Sequence, residues 1–336
     1  MEARFGVIKI NHGHIYAQVE ALLGAGAACA GLYAPEDDLA ARFLARYPGV
    51  RRVDDPAALL EDESIQIITT SAIPNERGPL GAAAMRHGKS FLSDKPGFTT
   101  LAQLAEARRA HAETGRAYAV YFGRYDSRAT LKAGELARAG AIGRVVQFIG
   151  LGPHRAGLPS RADWFFRREQ YGGIITDIAS HQFDHFLYFT GSTRAEVVAA
   201  QVANYKHPEH PDLEEVGEAM LRGDAGTAYI RVDWLSPDGL GTWGDTRLVI
   251  LGTEGYMEVR PTIDLAGQPG GDHLLLVNGE RTQRVDCADV PLDFGRRFVA
   301  DALAGTQTAQ NQERCFLACE LALRAQQMAA RLGNLA

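Results

Sequence analysis

Residues 4–33, RFGVIKINHGHIYAQVEALLGAGAACAGLY, decide the fold. Apolar residues dominate positions 5–10, a run short enough for a strand. Ile15, Val19, Leu22 and Leu23 recur at helical spacing over 15–23, and 29–33 is a second short apolar run. A strand, a helix and a strand within ~30 residues make a βαβ unit, whose strands lie parallel. The pattern continues outward. Helices are predicted over 35–47, 56–60, 75–87 and 99–114, and strands over 65–70, 90–93 and 117–122. This alternation predicts an α/β, Rossmann-like, doubly wound parallel sheet for residues 1–122.

The rhythm changes near Gly123. Helices over 127–139, 177–189 and 312–332 frame strands at 145–150, 196–204, 218–222, 227–234, 247–252, 256–260 and 273–278. The turns between these strands carry Gly, Asp and Pro, as in GDAGT, SPDG, GTEG and QPGGD. Residues 123–336 are therefore expected to form an α+β domain built on a large, mostly antiparallel open sheet.

The chain has 336 residues, 46% hydrophobic and 23% charged, which excludes a disordered or collagenous polymer. Its formal net charge of −6 argues against nucleic acid or an anionic membrane surface as a partner. No apolar run approaches the ~18 residues of a membrane span, and the first residues read as a strand rather than a signal peptide. The four cysteines, Cys29, Cys287, Cys315 and Cys319, make no CxxC pair. Together these features point to a reducing cytoplasm.

The first βα turn lacks the GxGxxG expected of a dinucleotide fold. The three glycine positions hold Lys9, Asn11 and His14, within Lys9-Ile10-Asn11-His12-Gly13-His14. Asn11 tolerates a left-handed turn, Gly13 allows close approach, and a helix starting near His14 would offer free N–H groups to a pyrophosphate. The stretch reads equally as a modified cofactor turn and as a turn with no ligand. After Tyr33 no acid stands at the strand tip, because Glu36, Asp37 and Asp38 read as the opening of the next helix. The choice between NAD and NADP stays open, with NAD slightly favoured.

Ser93-Asp94-Lys95-Pro96 closes a buried strand at the carboxyl edge of the predicted sheet, where ligands of open α/β sheets bind. In GGIITDIASHQFDH (172–185), Asp177 and His181 stand four apart on one predicted helix, and Asp184 and His185 extend that face. A carboxylate beside an imidazole suits general-base work, although a helix-surface ion pair has the same pattern. A metal held by His181 and His185 would lack a third ligand, so no metal site is expected.

Three features now stand in order: DKP at 94–96, GRYDSR after the last strand of the first domain, and GGIITDIASHQFDHFLYFTG. In this the chain resembles the Gfo/Idh/MocA oxidoreductases, the glucose–fructose oxidoreductase and inositol dehydrogenase group. It keeps Lys95, Pro96, Gly172, Gly173, Asp177, His181, Asp184 and Gly191 of the family pattern, with Asp94 in place of the usual Glu. It departs at KINHGH, and at Ala72-Ile73-Pro74-Asn75-Glu76-Arg77, which keeps Pro74 and Asn75 of the family's T-P-N-x-x-H run.

The resemblance implies hydride transfer between nicotinamide and a secondary alcohol of a sugar or polyol. His181 would be the general base, Lys95 would hydrogen-bond the same oxygen, and Asp177 would orient the substrate or the imidazole. The cofactor would lie against Ile10, Asn11, His12, Gly13, His14, Tyr33, Ser71, Pro74, Asn75, Asp94 and Lys95. The substrate would meet Lys95, Arg124, His154, Trp164, Tyr171, Asp177 and His181. The same residues would serve a transient oxidation coupled to elimination or glycoside cleavage, and the missing glycines also fit a non-catalytic sensor. The resemblance further implies a homodimer or homotetramer paired through the second domain's sheet.

Overall fold

The computed structural model describes residues 3–333. In chain order the first elements are β1 (Arg4–Ile8), α1 (Ile15–Gly24), β2 (Ala28–Tyr33), α2 (Asp37–Arg46), α3 (Ala57–Leu60), β3 (Ile67–Thr70), α4 (Pro74–Arg86), β4 (Ser90–Asp94), α5 (Leu101–Thr114) and β5 (Tyr118–Tyr121). There follow α6 (Arg128–Arg138), β6 (Val145–Pro153), α7 (Arg168–Tyr171), α8 (Ser180–Thr190), β7 (Ala195–Ala203), β8 (Val216–Gly223), β9 (Thr227–Asp233), β10 (Arg247–Gly252), β11 (Gly255–Arg260), β12 (His273–Asn278) and β13 (Thr282–Val285). The chain closes with α9 (Phe294–Ala304), α10 (Gln312–Met328) and the two-residue β14 (Ala330–Arg331). The predicted final helix thus stops at Met328, and α9 and β13 are additions to the sequence reading.

The contacts divide the chain into two units, Met1–Tyr121 with Asp293–Phe316, and Phe122–Leu292 with Leu317–Ala336. The sequence reading gives 293–316 to the second domain, whereas here this segment packs with the first. The reason is local to α9: a side chain at Gly295 would run into the Ala21 carbonyl of α1, so the two helices are in intimate contact.

The sheet of the first unit is parallel throughout, in the order β2-β1-β3-β4-β5. Strand order reverses between β1 and β3, which is the switch point where open α/β sheets bind ligands. Phe5, Val7, Leu32, Ile67, Ile68, Phe91, Leu92 and Val120 are buried, as expected for strands covered on both faces. Helix α4 lies so close to the sheet that a methyl at Gly81 would sit 2.2 Å from the Tyr118 ring, so a residue that weakens a helix by itself is required here.

The edge strand β5 is sealed without a sixth strand. Gln312 accepts from the Tyr118 N–H at 2.8 Å and donates to the Tyr118 carbonyl at 2.8 Å. Gln310 does the same for Val120, at 3.0 Å and 3.0 Å. Two side-chain amides thus take the place of a neighbouring backbone and close an edge that would otherwise be open to pairing.

The second unit carries a nine-stranded sheet in the order β13-β12-β11-β10-β6-β9-β8-β7-β14. Only the β6–β9 and β14–β7 pairs are parallel. Phe148, Ile230, Val232, Leu248, Ile250, Met257 and Val259 are buried on one face, while Met220, Leu251 and Tyr256 are exposed on the other. The buried face packs with α8 through residues such as Phe183 and Phe186. No helix among the described residues is long and apolar enough to cross a membrane.

Replacing Gln312 with Leu removes both of its hydrogen bonds to the buried Tyr118 backbone and leaves the carbonyl with the weaker Cys315 thiol donor. Chemical denaturation is expected to show a loss of about 1–3 kcal/mol; an unchanged midpoint would mean the amide does not seal the edge.

Candidate active site

In the first unit the site is assembled at the carboxyl ends of β1, β3 and β4. The chain leaves β1 through Lys9, whose φ is 59°. This is the left-handed conformation usually left to glycine, and it falls on the first position of the missing fingerprint. The sequence reading gives the tight turn to Asn11; the structure gives it to Lys9, whose ammonium pairs with Glu76 at 2.9 Å. The turn is tied to β3 by Ser71. The Ser71 N–H donates to the Lys9 carbonyl at 3.1 Å and its hydroxyl to the His12 carbonyl at 2.7 Å, while the His12 N–H returns to the Ser71 carbonyl at 3.1 Å. Ser71 and Ile10 are buried, so both shape the turn from beneath. The space beside Gly13 is open, and α1 begins at Ile15 without a side-chain cap.

Asp94 is the hub of this edge. Its buried carboxylate accepts from the Lys95 N–H at 2.7 Å and from the buried Arg77 guanidinium at 3.1 Å. His14 approaches it through Nδ1 at 2.9 Å and His12 through Nδ1 at 3.3 Å. Burial alone would raise the Asp94 pKa, but the charges of His14 and Arg77 and hydrogen bonds from both imidazoles hold it well below the usual carboxylate range. Burial, reinforced by His14, lowers the His12 pKa to about 4, so that ring is neutral at neutral pH. Arg77 also donates to the Ala72, Lys95 and Pro96 carbonyls, fixing the chain on both sides of Lys95. Lys95 itself is buried, and the Lys95–Pro96 bond is cis. The His12, His14 and Asp94 ligand atoms lie within 4.8 Å of one another. However, the carboxylate is already committed to four donors, and the guanidinium on it opposes a divalent cation.

A dinucleotide brings ribose hydroxyls, and the edge holds acceptors to receive them. Asn11 donates to Glu36 Oε1 at 2.7 Å, which places Glu36 just beyond the tip of β2. The other oxygen of Glu36, and the side-chain oxygen of Asn75, are buried with no hydrogen-bond partner among the described residues. Glu36 stands at the start of α2 but its side chain caps nothing there. It is thus the acid near the strand tip that the sequence reading finds missing. Its link to Asn11 spans 25 residues and leaves no local signal. Pro74 opens α4 and is buried, and half-buried Tyr33 ends β2.

In the second unit the chemistry gathers on the turn leading into α8. Gly172 and Gly173 have φ of 89° and 92°, and a side chain at Gly173 would strike Gln326. Five residues, Ile175–Ala179, then form a wide π turn before α8 begins. The free N–H groups at its start are capped from elsewhere: Glu214 accepts from Ile174 at 2.9 Å, and Gln326 from Ile175 at 2.9 Å. Glu214 and Gln326 are therefore part of the site's support, unmarked in the sequence. Asp177 lies on the π turn and is buried; His181 is half-buried on the first turn of α8. The Gly123 N–H donates to His181 Nδ1 at 3.0 Å.

The other predicted substrate residues divide. The His154 Nδ1–H donates to the Gly152 carbonyl at 3.0 Å, and the ring lies 4.6 Å from Trp243 and 5.5 Å from Trp234. Trp164 is half-buried on a short turn. Arg161, over the Phe165 and Trp234 rings and within electrostatic reach of Asp177, is a cation the sequence reading passes over. Tyr171 is fully buried, its hydroxyl donating to the Asp212 carbonyl at 2.9 Å and accepting from the Glu214 N–H at 3.1 Å, so it is a structural residue. Arg124 is buried too, paired with buried Asp184 and hydrogen-bonded to the Tyr125 hydroxyl at 2.7 Å. Its guanidinium is spent on α8 rather than offered to a ligand. His185 does not extend the Asp177–His181 face; it is buried beside Phe148 and Phe189, and neither ring nitrogen has a hydrogen-bond partner among the described residues.

Burial lowers the His185 pKa from 6.5 to about 4, against the opposing pull of Asp184. The unfolded chain therefore binds this proton first as pH falls. The folded state should lose on the order of 3 kcal/mol between pH ~6.5 and pH ~4 from this group. The variant His185→Phe should escape that part of the loss, and unfolding curves across the range check it. Equal slopes for both proteins would remove His185 as the cause.

Residues 5–122 match the oxidoreductase family model for an NAD-binding Rossmann fold, and residues 130–258 match the GFO/IDH/MocA C-terminal domain. The scyllo-inositol 2-dehydrogenase (NAD(+)) of Bacillus subtilis (strain 168) is 26% identical over 262 residues, 75% of this chain and 71% of that protein. A solved oxidoreductase from Erwinia carotovora atroseptica SCRI1043 shares 44% identity with a TM-score of 0.96, covering 99% of this chain and 100% of that one. The aldose-aldose oxidoreductase of Caulobacter crescentus shares the fold, with a TM-score of 0.77 at 18% identity, covering 97% of this chain and 98% of its own. The chain belongs to the Gfo/Idh/MocA oxidoreductases, and residues 5–122 are its NAD-binding Rossmann domain.

Proposed function

We propose that this protein is a dehydrogenase that moves a hydride between nicotinamide and a secondary alcohol of a sugar or polyol. The observation that carries the reading is the care spent on three side chains. Lys95 follows a carboxylate locked by Arg77, and Asp177 lies on, and His181 two residues beyond, a turn whose first N–H groups are capped by Glu214 and Gln326. A non-catalytic sensor has no use for an ammonium, a carboxylate and an imidazole held in this way.

Asn11, Glu36, Asn75 and the open start of α1 would hold the dinucleotide. The nicotinamide supplies or accepts the hydride when bound. Lys95 hydrogen-bonds the substrate oxygen and stabilises negative charge developing on it. His181 handles the proton of that oxygen, and Asp177 orients the substrate or the ring. Glu36 selects NAD, because its carboxylate suits a ribose hydroxyl and repels a 2′-phosphate. The exposed Met220, Leu251 and Tyr256 mark the outer sheet face as the surface through which two or four copies pair, and light scattering that returns a monomer at working concentration would refute this. The free thiols of Cys29, Cys287 and Cys315 suit a reducing cytoplasm.

A screen of polyols and sugars should give net reduced cofactor with at least one substrate. On that substrate, Lys95→Ala and His181→Ala should each lower kcat/KM by about 10²–10⁴-fold with an unchanged circular dichroism spectrum. Full activity in either variant would end the assignment of that residue. Turnover that needs only catalytic amounts of cofactor would replace net oxidation with a transient one.

A further inference from the structure

One backbone N–H fixes where His181 carries its proton. The Gly123 N–H donates to His181 Nδ1 at 3.0 Å. A ring nitrogen that accepts a backbone N–H has no proton of its own, so the neutral ring carries its proton on Nε2. The donor is held firmly. Gly123 opens the 3₁₀ turn Gly123–Asp126, in which the Tyr125 N–H returns to the Phe122 carbonyl at 3.0 Å. The next residue, Arg124, is buried and paired with Asp184, and its guanidinium lies 4.1 Å from the Tyr125 ring centre and 4.8 Å from that of Tyr188. Asp184 and His181 stand on the same helix, α8. The imidazole and its donor are thus tied to one element at two points, and the buried ion pair holds the Gly123 peptide beside α8.

We infer that Gly123 is a positioning residue that holds resting His181 as the Nε2–H tautomer, so that the ring meets the substrate oxygen as a hydrogen-bond donor. The resting protein is then matched to the carbonyl member of the substrate pair. This rests on the proposed function only in taking His181 to face that oxygen. A carbonyl oxygen accepts hydrogen bonds and gives none, whereas a hydroxyl surrendering its proton needs a bare nitrogen. With Nδ1 engaged by Gly123, Nε2 becomes bare only after the ring exchanges that bond for a proton on Nδ1. Taking the proton of the alcohol at Nε2 therefore requires a tautomer change that hydrogen-bonding the carbonyl does not.

The test is a proton–nitrogen correlation spectrum of the full chain with 15N-labelled histidine, recorded at mildly alkaline pH. The His181 signals are assigned by their loss in His181→Gln. The expected pattern is a bare Nδ1 and a protonated Nε2. Gly123→Pro removes the N–H alone: proline is accepted at the first position of a helical turn, and Phe122, at φ −85° and ψ 151°, already has the extended conformation that precedes proline. Gly123→Ala keeps the N–H, and its methyl would lie 3.7 Å from the ring, an ordinary contact. The alanine variant should match the parent, while the proline variant should raise the Nδ1–H fraction about fivefold, the effect of one lost hydrogen bond. A parent spectrum with a protonated Nδ1, or a folded proline variant with the parent's pattern, would overturn the inference. If the proline variant does not fold, the parent spectrum alone decides. Undiminished turnover in His181→Gln would refute the proposed function while leaving the tautomer result standing, so the two failures are separable.

Discussion

A carboxylate buried away from water must be surrounded by donors, and in the first unit that demand falls on Asp94. An unpaired charge there would cost far more than the net stability of a domain. The requirement is met by a guanidinium, a backbone N–H and two imidazoles, drawn from α4, the start of the DKP turn and the first βα turn. Satisfying one charge therefore sets the position of three segments at the carboxyl edge of the sheet. It also explains how a turn without the usual glycines keeps its shape. His12 and His14 are anchored from below by Asp94, Lys9 takes the left-handed conformation, and Ser71 ties the turn to β3.

The second unit solves a similar problem with Arg124 and Asp184. Buried ion pairs contribute little net stability, because desolvation offsets attraction, but they have a strict geometry and breaking one side is expensive. Here that geometry places the Gly123 peptide against His181. Specific orientation, more than stability, is what these two buried pairs supply.

Much of this was legible in the sequence. The alternation of short apolar runs and amphipathic stretches gave the parallel sheet, and turn residues marked the antiparallel one. DKP and D-x-x-x-H stood out because both sit beside element ends. What escaped had a common physical cause, which is contact between residues far apart in the chain. Gln310 and Gln312 seal β5 across 190 and 194 residues. Glu36 reads locally as a helix-opening acid and is turned to another use by Asn11. Arg124 and Tyr171 have the composition of binding residues, but their polar atoms are consumed by Asp184, Asp212 and Glu214. The π turn at 175–179 arises because Glu214 and Gln326 cap its first N–H groups, and nothing in TDIASH announces it. The return of α9 to the first unit was likewise hidden, since its helical spacing of Phe294, Phe298 and Ala302 says nothing of which partner it meets.

Cofactor binding rests on KINHGH, with Glu36 and Asn11 behind it, working as a dinucleotide turn. Calorimetric titration of the purified protein with NAD and with NADP, after a denatured aliquot has been checked for nucleotide carried through purification, tests this directly. Micromolar binding of NAD, at least about tenfold tighter than NADP, is the predicted result. A folded sample that binds neither, or one that prefers NADP, would contradict it.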